Sequence, residues 1–117
     1  MDILSSIIAI WTVLIGGVGF LAPRYTADAL DLQPTKSTMG LSELRAGTGG
    51  LFVAVALYCL YSGDPMAYFM LGIAYLGAGT GRALSIALDS PPLRKALLFL
   101  ALEWPLGAWL VWANWPT

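Results

Sequence analysis

Four long apolar runs dominate this sequence and leave few folds open to it. Residues 3–22, 46–63 and 65–81 carry no charged side chain, and residues 96–115 contain only Glu103. A helix of about 20 residues crosses the roughly 30 Å hydrocarbon core of a bilayer. Four such runs leave almost no chain for a water-soluble domain. The sequence therefore predicts an all-α integral membrane bundle of four transmembrane helices.

The composition supports this prediction and excludes several classes of site. The chain is 58% hydrophobic and 11% charged, whereas soluble proteins are roughly 25% charged. Cys59 is the only cysteine, which excludes an intramolecular disulfide, and there is no histidine for a general base, a haem ligand or the usual zinc sites. The net charge of −1 and the lack of a basic run do not indicate nucleic-acid binding. We expect no metal site, no cofactor and no nucleic-acid partner.

The predicted helices belong to one domain that covers residues 1–117. Their approximate bounds are 3–22, 42–62, 65–88 and 93–114. We also expect a short interfacial helix within the long first connection, in the segment YTADALDL.

Both ends of the predicted third helix carry turn signals. Asp64 is placed to cap this helix and Pro65 to occupy its first position. Pro91 and Pro92 are expected to end it and to begin the fourth helix.

A secretory signal peptide is the alternative interpretation of the first apolar run. The run follows Asp2 rather than a basic segment, and it is longer than a typical signal-peptide core. We therefore favour a transmembrane helix.

The basic residues predict the orientation in the membrane. All six lie in or beside the first and third connections: Arg24, Lys36, Arg45, Arg82, Arg94 and Lys95. The positive-inside rule places these connections in the cytoplasm and both termini outside it. Trp109, Trp112 and Trp115 then lie at the outer interface as belt residues. The predicted location is a bacterial inner membrane, crossed several times.

Small residues predict where two helices approach each other closely. Ala46, Gly50 and Ala54 follow one another at intervals of four on the second helix, as Gly77 and Gly81 do on the third. Such spacing lets backbones come together in lipid. We therefore expect the second and third helices to pack at this level.

The charged residues near this contact are expected to have separate partners. Glu43 shares the small-residue face, so we predict that it points inward to Arg82. Glu103 is expected to lie about one helical turn deeper in the membrane than Arg82, which places it within reach of the Arg82 side chain. Arg45 points away from Glu43, because residues two apart on a helix do not face each other. Its expected partner is a lipid phosphate, a loop carbonyl or another carboxylate.

These residues predict a polar pocket that opens towards the cytoplasmic leaflet. Its expected lining is Glu43, Arg45, Arg82, Glu103, Trp104, Tyr75 and Ser85. Pro105 is expected to free a backbone carbonyl beside it, since proline removes a helical hydrogen bond. Two structural interpretations remain open. Charges at helix ends are often interfacial anchors, and Arg82 with Glu103 could be a buried pair that fixes helix register.

Three motifs carry a resemblance to a known family. They are Glu43-x-Arg45 followed by glycines, Gly77-x-Gly79-x-Gly81-Arg82, and the membrane residue Glu103. From about Leu41 onward the chain resembles the bacterial family of small membrane proteins described as domain of unknown function 4345. This resemblance implies a four-helix inner-membrane protein and no particular activity. Small multidrug-resistance transporters are less similar, because their membrane glutamate lies in the first helix, which is uncharged here.

Four functions remain open, and the first is favoured. The first hypothesis is that the protein binds a lipid or another amphipathic small molecule, with Arg45 or Arg82 holding an anionic head group. Alternatively, it is a homodimeric proton-coupled transporter that uses Glu103. A third hypothesis is a membrane isomerase with Glu103 and Glu43 as acid and base, and a fourth is an accessory subunit that docks a larger partner. The sequence leaves open whether the chain forms a homo-oligomer.

Overall fold

The computed structural model describes residues 2–117, and this part of the chain is helical. The helices are α1 (Ile3–Leu21), α2 (Pro23–Ala29), α3 (Met39–Ser62), α4 (Pro65–Asp89) and α5 (Leu93–Ala113). Four of them, all except α2, are long and apolar enough to cross a membrane. The predicted all-α fold with four long helices is confirmed. α3 begins three residues before its predicted start, because the Ser42 N–H already donates to the Thr38 carbonyl at 3.1 Å.

The surface of the long helices is apolar, as a bilayer requires. Large side chains such as Leu14, Leu21 and Leu88 are 61%, 75% and 71% exposed. Water-soluble proteins rarely expose apolar patches on this scale. Their exposure agrees with a multi-pass membrane protein, in which these side chains meet lipid.

Threonine hydroxyls within the long helices are satisfied by their own helix. Thr12, Thr48 and Thr80 each donate to the carbonyl four residues earlier, at 2.8 Å. A bilayer core holds no water to take such hydrogen bonds, so polar groups must be paired internally. The three bonds keep these residues compatible with a hydrocarbon environment.

The chain divides into two compact units with separate packing. The first unit is Ser6–Ser62, and the second unit consists of residues 2–5 together with Gly63–Thr117. The expectation of one domain over the whole chain stays a prediction.

In the first unit, α1 and α3 approach each other closely through glycines. A Cβ atom on Gly49 would lie 2.6 Å from the Cα of Phe20, and one on Gly19 would lie 2.9 Å from the Thr48 hydroxyl. Real Cβ atoms do not come this near to a neighbour, and at Gly49 the neighbour is backbone that cannot move aside, so this position requires glycine. The close approach within this unit therefore brings α3 against α1.

The centre of α3 is a π-helix, which the sequence analysis did not anticipate. It covers Leu44–Leu51 and contains three glycines. Its i→i+5 hydrogen bonds make each turn wider than that of an α-helix. The period of about 3.6 residues used to assign faces does not hold there. The face that packs on α1 consequently carries Gly49, whereas Ala46 and Ala54 of the expected face are exposed.

α2 is the short helix that was expected after α1, although it begins and ends earlier than predicted. Pro23 occupies its first position, where the missing N–H does no harm. Asp31, with φ of 60°, follows its end, and the Leu32 N–H donates to the Ala27 carbonyl at 2.8 Å. This is the hydrogen bond of a Schellman motif. Ala27 packs with Leu41 and Leu44 in a small core of the first unit, which fixes α2 against the start of α3.

In the second unit, α4 and α5 pack along their lengths as an antiparallel pair. Glycines again allow the approach. A Cβ on Gly72 would lie 2.8 Å from the Cβ of Leu110, and a Cβ on Gly107 would lie 2.9 Å from the Gly72 carbonyl oxygen. Gly77 and Gly81, which the spacing pattern singled out, make no such close contact with α5. The packing of their face against α3 would join the two units and stays a prediction.

The turn residues of the second unit behave as predicted. Asp64 Oδ1 accepts a hydrogen bond from the Met66 N–H at 2.9 Å, and Pro65 occupies the first position of α4. Pro91 and Pro92 lie between α4 and α5. These residues set the ends of both helices.

Candidate functional site

Arg45 binds the end of α1. Its Nη1 donates to the carbonyl oxygen of Phe20 at 2.5 Å. The last carbonyls of a helix lack intrahelical partners and carry partial negative charge, so a guanidinium group there is favourable. Of the partners expected for Arg45, a backbone carbonyl is the one observed, and it belongs to the end of a helix rather than to a loop.

Arg45 also lines an open cleft of about 580 Å³ in the first unit. The cleft lies where α1, α2 and α3 meet. Its lining residues, which we call the basic cleft, are Leu21, Ala22, Pro23, Arg24, Tyr25, Thr38, Leu41, Ser42 and Arg45. They include two arginines and three residues that carry a hydroxyl group, and no Asp or Glu is among the described residues that line it. The basic cleft therefore offers a positively charged surface rich in hydrogen-bond donors.

Glu43 does not belong to the residues that line the basic cleft. Its side chain is exposed, at the end of the first α-helical part of α3. The face assignment that pointed it inward assumed an unbroken α-helix, whereas a π-helix begins at the next residue. The predicted contact between Glu43 and Arg82 would join the two units and stays a prediction.

Arg82 and Glu103 form a two-pronged ion pair across α4 and α5. Arg82 Nε lies 3.1 Å from Glu103 Oε1, and Nη2 lies 3.0 Å from Oε2. The guanidinium carbon also stands 5.1 Å from the centre of the Phe99 ring, a cation–π distance. The prediction that Arg82 reaches Glu103 is confirmed. Paired in this way, the two charges neutralise each other between apolar helices.

The other predicted pocket residues of the second unit also lie on α4 and α5. A Cβ on Gly79 would overlap the indole ring of Trp104, and a Cβ on Gly107 would lie 2.9 Å from the Cβ of Tyr75. The indole ring of Trp104 thus packs against Gly79 of α4, and the Cβ of Tyr75 faces Gly107 of α5. Ser85 is half-buried on α4. A pocket that combined these residues with Glu43 and Arg45 would span both units, and it stays a prediction.

A polar cluster that the sequence analysis missed connects the start of α1 to the end of α5. Asp2 Oδ2 accepts from the Ser5 N–H at 2.8 Å and from the indole N–H of Trp109 at 2.9 Å. The Ser5 hydroxyl donates to Asp2 Oδ1 at 2.7 Å and accepts from the Asn114 amide at 3.1 Å. Ser5 and Asn114 are buried. Trp109 is therefore more than the interfacial belt residue that was expected.

The same end of the second unit contains an open cleft of about 490 Å³. Its lining residues, which we call the aromatic cleft, are Asp2, Pro65, Trp109, Trp112, Ala113, Asn114 and Trp115. The rings of Trp109 and Trp112 have centroids 5.3 Å apart, and Trp115 meets Phe69 edge-on at 5.6 Å. Three indoles and one carboxylate thus share a small surface.

The carboxyl group of Asp2 makes the stability of this end depend on pH. Burial raises the pKa of Asp2, but hydrogen bonds from Ser5 and Trp109 outweigh it and hold the pKa below the ordinary 3.8. A lowered pKa stabilises the folded state above 3.8, and this contribution is lost as the pH falls through the folded value. We expect the wild type to melt at a higher temperature than Asp2→Ala at neutral pH. The difference should shrink towards zero in strong acid, as thermal unfolding in detergent would show. A difference that grew on acidification would contradict this assignment.

One contact of the polar cluster, between Asp2 and Ser5, has a signal in the local sequence. An aspartate three residues before Ser5, at the start of an apolar run, is a helix N-cap pattern. The contact of Asp2 with Trp109 had none, because 107 positions separate the two residues. Arg24, Tyr25 and the other residues of the basic cleft come together only through the packing of α2.

A comparison with protein families finds a match over nearly the whole chain. The matching family model is described as Domain of unknown function (DUF4345) and covers residues 1–114. No curated protein and no solved structure gives a match. The likeness that the motifs indicated from about Leu41 onward therefore includes the first helix and the long connection as well. On this evidence the chain belongs to the DUF4345 family of domains of unknown function.

Proposed function

We propose that this membrane protein binds an anionic amphiphile whose head group occupies the basic cleft. The observation that carries the proposal is the chemistry of the lining. Two guanidinium groups, from Arg24 and Arg45, share a cleft of about 580 Å³ with the hydroxyls of Tyr25, Thr38 and Ser42. Phosphate and carboxylate groups are the ligands that such donors recognise.

Arg45 keeps donors for a ligand while it binds the end of α1. Its hydrogen bond to Phe20 involves Nη1, and a guanidinium group has five N–H donors in all. Binding of a phosphate or carboxylate by two parallel hydrogen bonds takes two of them. The bond to Phe20 also holds the side chain in place, which reduces the loss of conformational entropy on binding.

The position of the cleft suits a molecule with an apolar tail. Leu21 and Leu41 are also among its lining residues, and Leu21 ends a helix that is long and apolar enough to span the bilayer. On the predicted orientation this end of α1 faces the cytoplasmic leaflet, whose anionic lipids attract basic residues by about 1 kcal/mol each. An acyl chain would then follow the apolar surface of the first unit into the membrane.

Arg45 is a better candidate than Arg82 for the head group. Both oxygens of Glu103 accept hydrogen bonds from Arg82, so an anion would have to displace a carboxylate that is already bound. The same pair bears on the transporter hypothesis, because a cycle of protonation at Glu103 would have to open it. No contact in either unit favours the isomerase or the accessory subunit over binding.

The proposal is tested by replacing Arg24 and Arg45 with glutamine in the full chain. We measure binding of spin-labelled phosphatidylglycerol relative to phosphatidylcholine in reconstituted vesicles. Each substitution is expected to reduce the preference for the anionic lipid at least tenfold, because a direct hydrogen bond to a charged head group contributes about 1.5–3 kcal/mol. The matched control is Arg94→Gln, which removes the same charge from the second unit and from the same predicted side of the membrane.

The control distinguishes binding in the basic cleft from a general attraction of anionic lipid to any basic residue. A preference that survives in Arg94→Gln and falls in the two cleft variants supports the proposal. Equal losses in all three variants would instead mean that any surface charge suffices, and an unchanged preference in the double variant would exclude the basic cleft as the binding site.

A further inference from the structure

We infer a second binding site, in which the aromatic cleft holds a small organic cation such as a trimethylammonium group. The inference rests on the chemistry of this cleft and is independent of the basic cleft, which lies in the other unit. Rings of Trp attract cations over their faces, and this attraction is stronger where water is displaced. Binding of quaternary ammonium groups by several aromatic rings is the best-known use of this interaction.

Three tryptophan side chains line the cleft. The planes of Trp109 and Trp112 are inclined by 51° with centroids 5.3 Å apart, so the two rings do not stack flat against each other. Trp115 lines the same cleft, and its contact with Phe69 at 81° holds its orientation. The volume of about 490 Å³ falls within the range of small-molecule sites.

The charge of the cleft favours a cation as well. Asp2 is a carboxylate in its wall, and no Lys or Arg is among the described residues that line it. α5 ends here, at Ala113, so the partially negative end of its dipole points into the same region, whereas α1 and α4 begin here with their partially positive ends capped by the carboxylates of Asp2 and Asp64. An anion would meet repulsion from the Asp2 carboxylate and from the end of α5, and an uncharged ligand would gain nothing from either.

The hydrogen bonds around Asp2 distinguish this arrangement from a plain belt of interfacial tryptophans. A belt residue needs only an apolar ring and access to water. Here the indole N–H of Trp109 is directed at Asp2 with a distance of 2.9 Å, and Ser5 holds both carboxylate oxygens. The carboxylate and one wall of the cleft are therefore fixed relative to each other before any ligand arrives.

The experiment compares choline with dimethylbutanol, its uncharged carbon isostere. Saturation-transfer NMR on the full chain in detergent detects binding of either molecule through its methyl protons. We expect choline to bind and the isostere to bind at least fivefold more weakly, from a cation–π contribution of about 1 kcal/mol. Raising the salt concentration should weaken choline binding, because the carboxylate is partly exposed to solvent.

Two variants and one control locate the site. Trp112→Ala removes a ring that is 73% exposed, so it should fold normally and lose choline binding about fivefold. Asp2→Asn keeps the shape of the side chain, so it should weaken the binding of choline and leave the binding of dimethylbutanol unchanged. Trp11→Ala replaces a tryptophan of α1 that lies outside the cleft, and this variant should bind choline as tightly as the wild type does. Equal binding of choline and its isostere, or an unchanged affinity in Trp112→Ala, would overturn the inference. Loss of lipid preference in the arginine variants would not affect these outcomes.

Discussion

Gly49→Ala is expected to destabilise the first unit by about 1–3 kcal/mol, the usual range for overpacking a close contact. The added methyl group would lie 2.6 Å from the Cα of Phe20 and about as close to its backbone nitrogen. A flexible side chain could move aside, but this neighbour is the backbone of α1. The helices must separate, and the bond from Arg45 to Phe20 is strained as they do so. Unfolding of the reconstituted protein in a gradient of denaturing detergent measures the change.

Gly47→Ala is the matched control, since it makes the same substitution two residues away in the same π-helix. Apart from the backbone of its own helix turn, a Cβ at Gly47 would meet no described atom within 4 Å. Alanine is favoured over glycine in a helix interior by up to about 1 kcal/mol, so this variant should be as stable as the wild type or more stable. Equal destabilisation by both substitutions would show that the π-helix, rather than the contact with α1, is sensitive to the change.

Removal of either partner of the ion pair in the second unit is expected to have the largest effect of any single charge deletion. Arg82→Ala leaves Glu103, whose side chain is 15% exposed, without its arginine between membrane helices. Breaking a fully buried pair on one side typically costs about 3–5 kcal/mol, and because this pair is partly exposed we expect a smaller loss of about 1–3 kcal/mol. Glu103→Ala should cost a similar amount, although Arg82 is 32% exposed and can reach water or head groups more easily.

The double variant distinguishes a stabilising pair from two separate sites. If the charges matter mainly to each other, removing both should cost much less than the sum of the single changes. A double-mutant cycle on unfolding in detergent measures this coupling. Additive losses would contradict the pairing, and small losses in every variant would indicate that lipid or water replaces the missing partner. Strong coupling would support the interpretation in which the pair fixes the register of α4 and α5.

Structural features could be predicted from the sequence where they depend on the thickness of the bilayer or on the backbone preferences of neighbouring residues. The thickness of the membrane sets the length of an apolar helix, so three of the four long helices were placed within one residue at each end. Asp64 with Pro65, and Pro91 with Pro92, have backbone preferences that define their turns without help from other helices. The pair of Arg82 and Glu103 could be predicted because a short connection aligns α4 with α5 and two unlike charges fall near the same depth.

Features that depend on packing or on an irregular helix could not be predicted in this way. Face assignments on α3 assumed an α-helical period, which does not hold in the π-helix that begins at Leu44. The close contact of Gly49 with Phe20 of α1 was not anticipated, because the contact expected on this helix involved Ala46, Gly50 and Ala54 and the next helix in the chain. The bond of Trp109 to Asp2 joins the two ends of the sequence, so no spacing rule could reveal it.

The π-helix separates α3 into two parts whose faces are set independently. Each i→i+5 turn holds one residue more than an α-helical turn, so Leu44–Leu51 is a place where the helix can gain or lose a residue without rotating Phe52–Ser62. Arg45 is the second residue of this segment, and the apolar half of α3 follows the segment. A residue added or removed in this segment would therefore redirect the guanidinium group relative to the apolar surface of Phe52–Ser62.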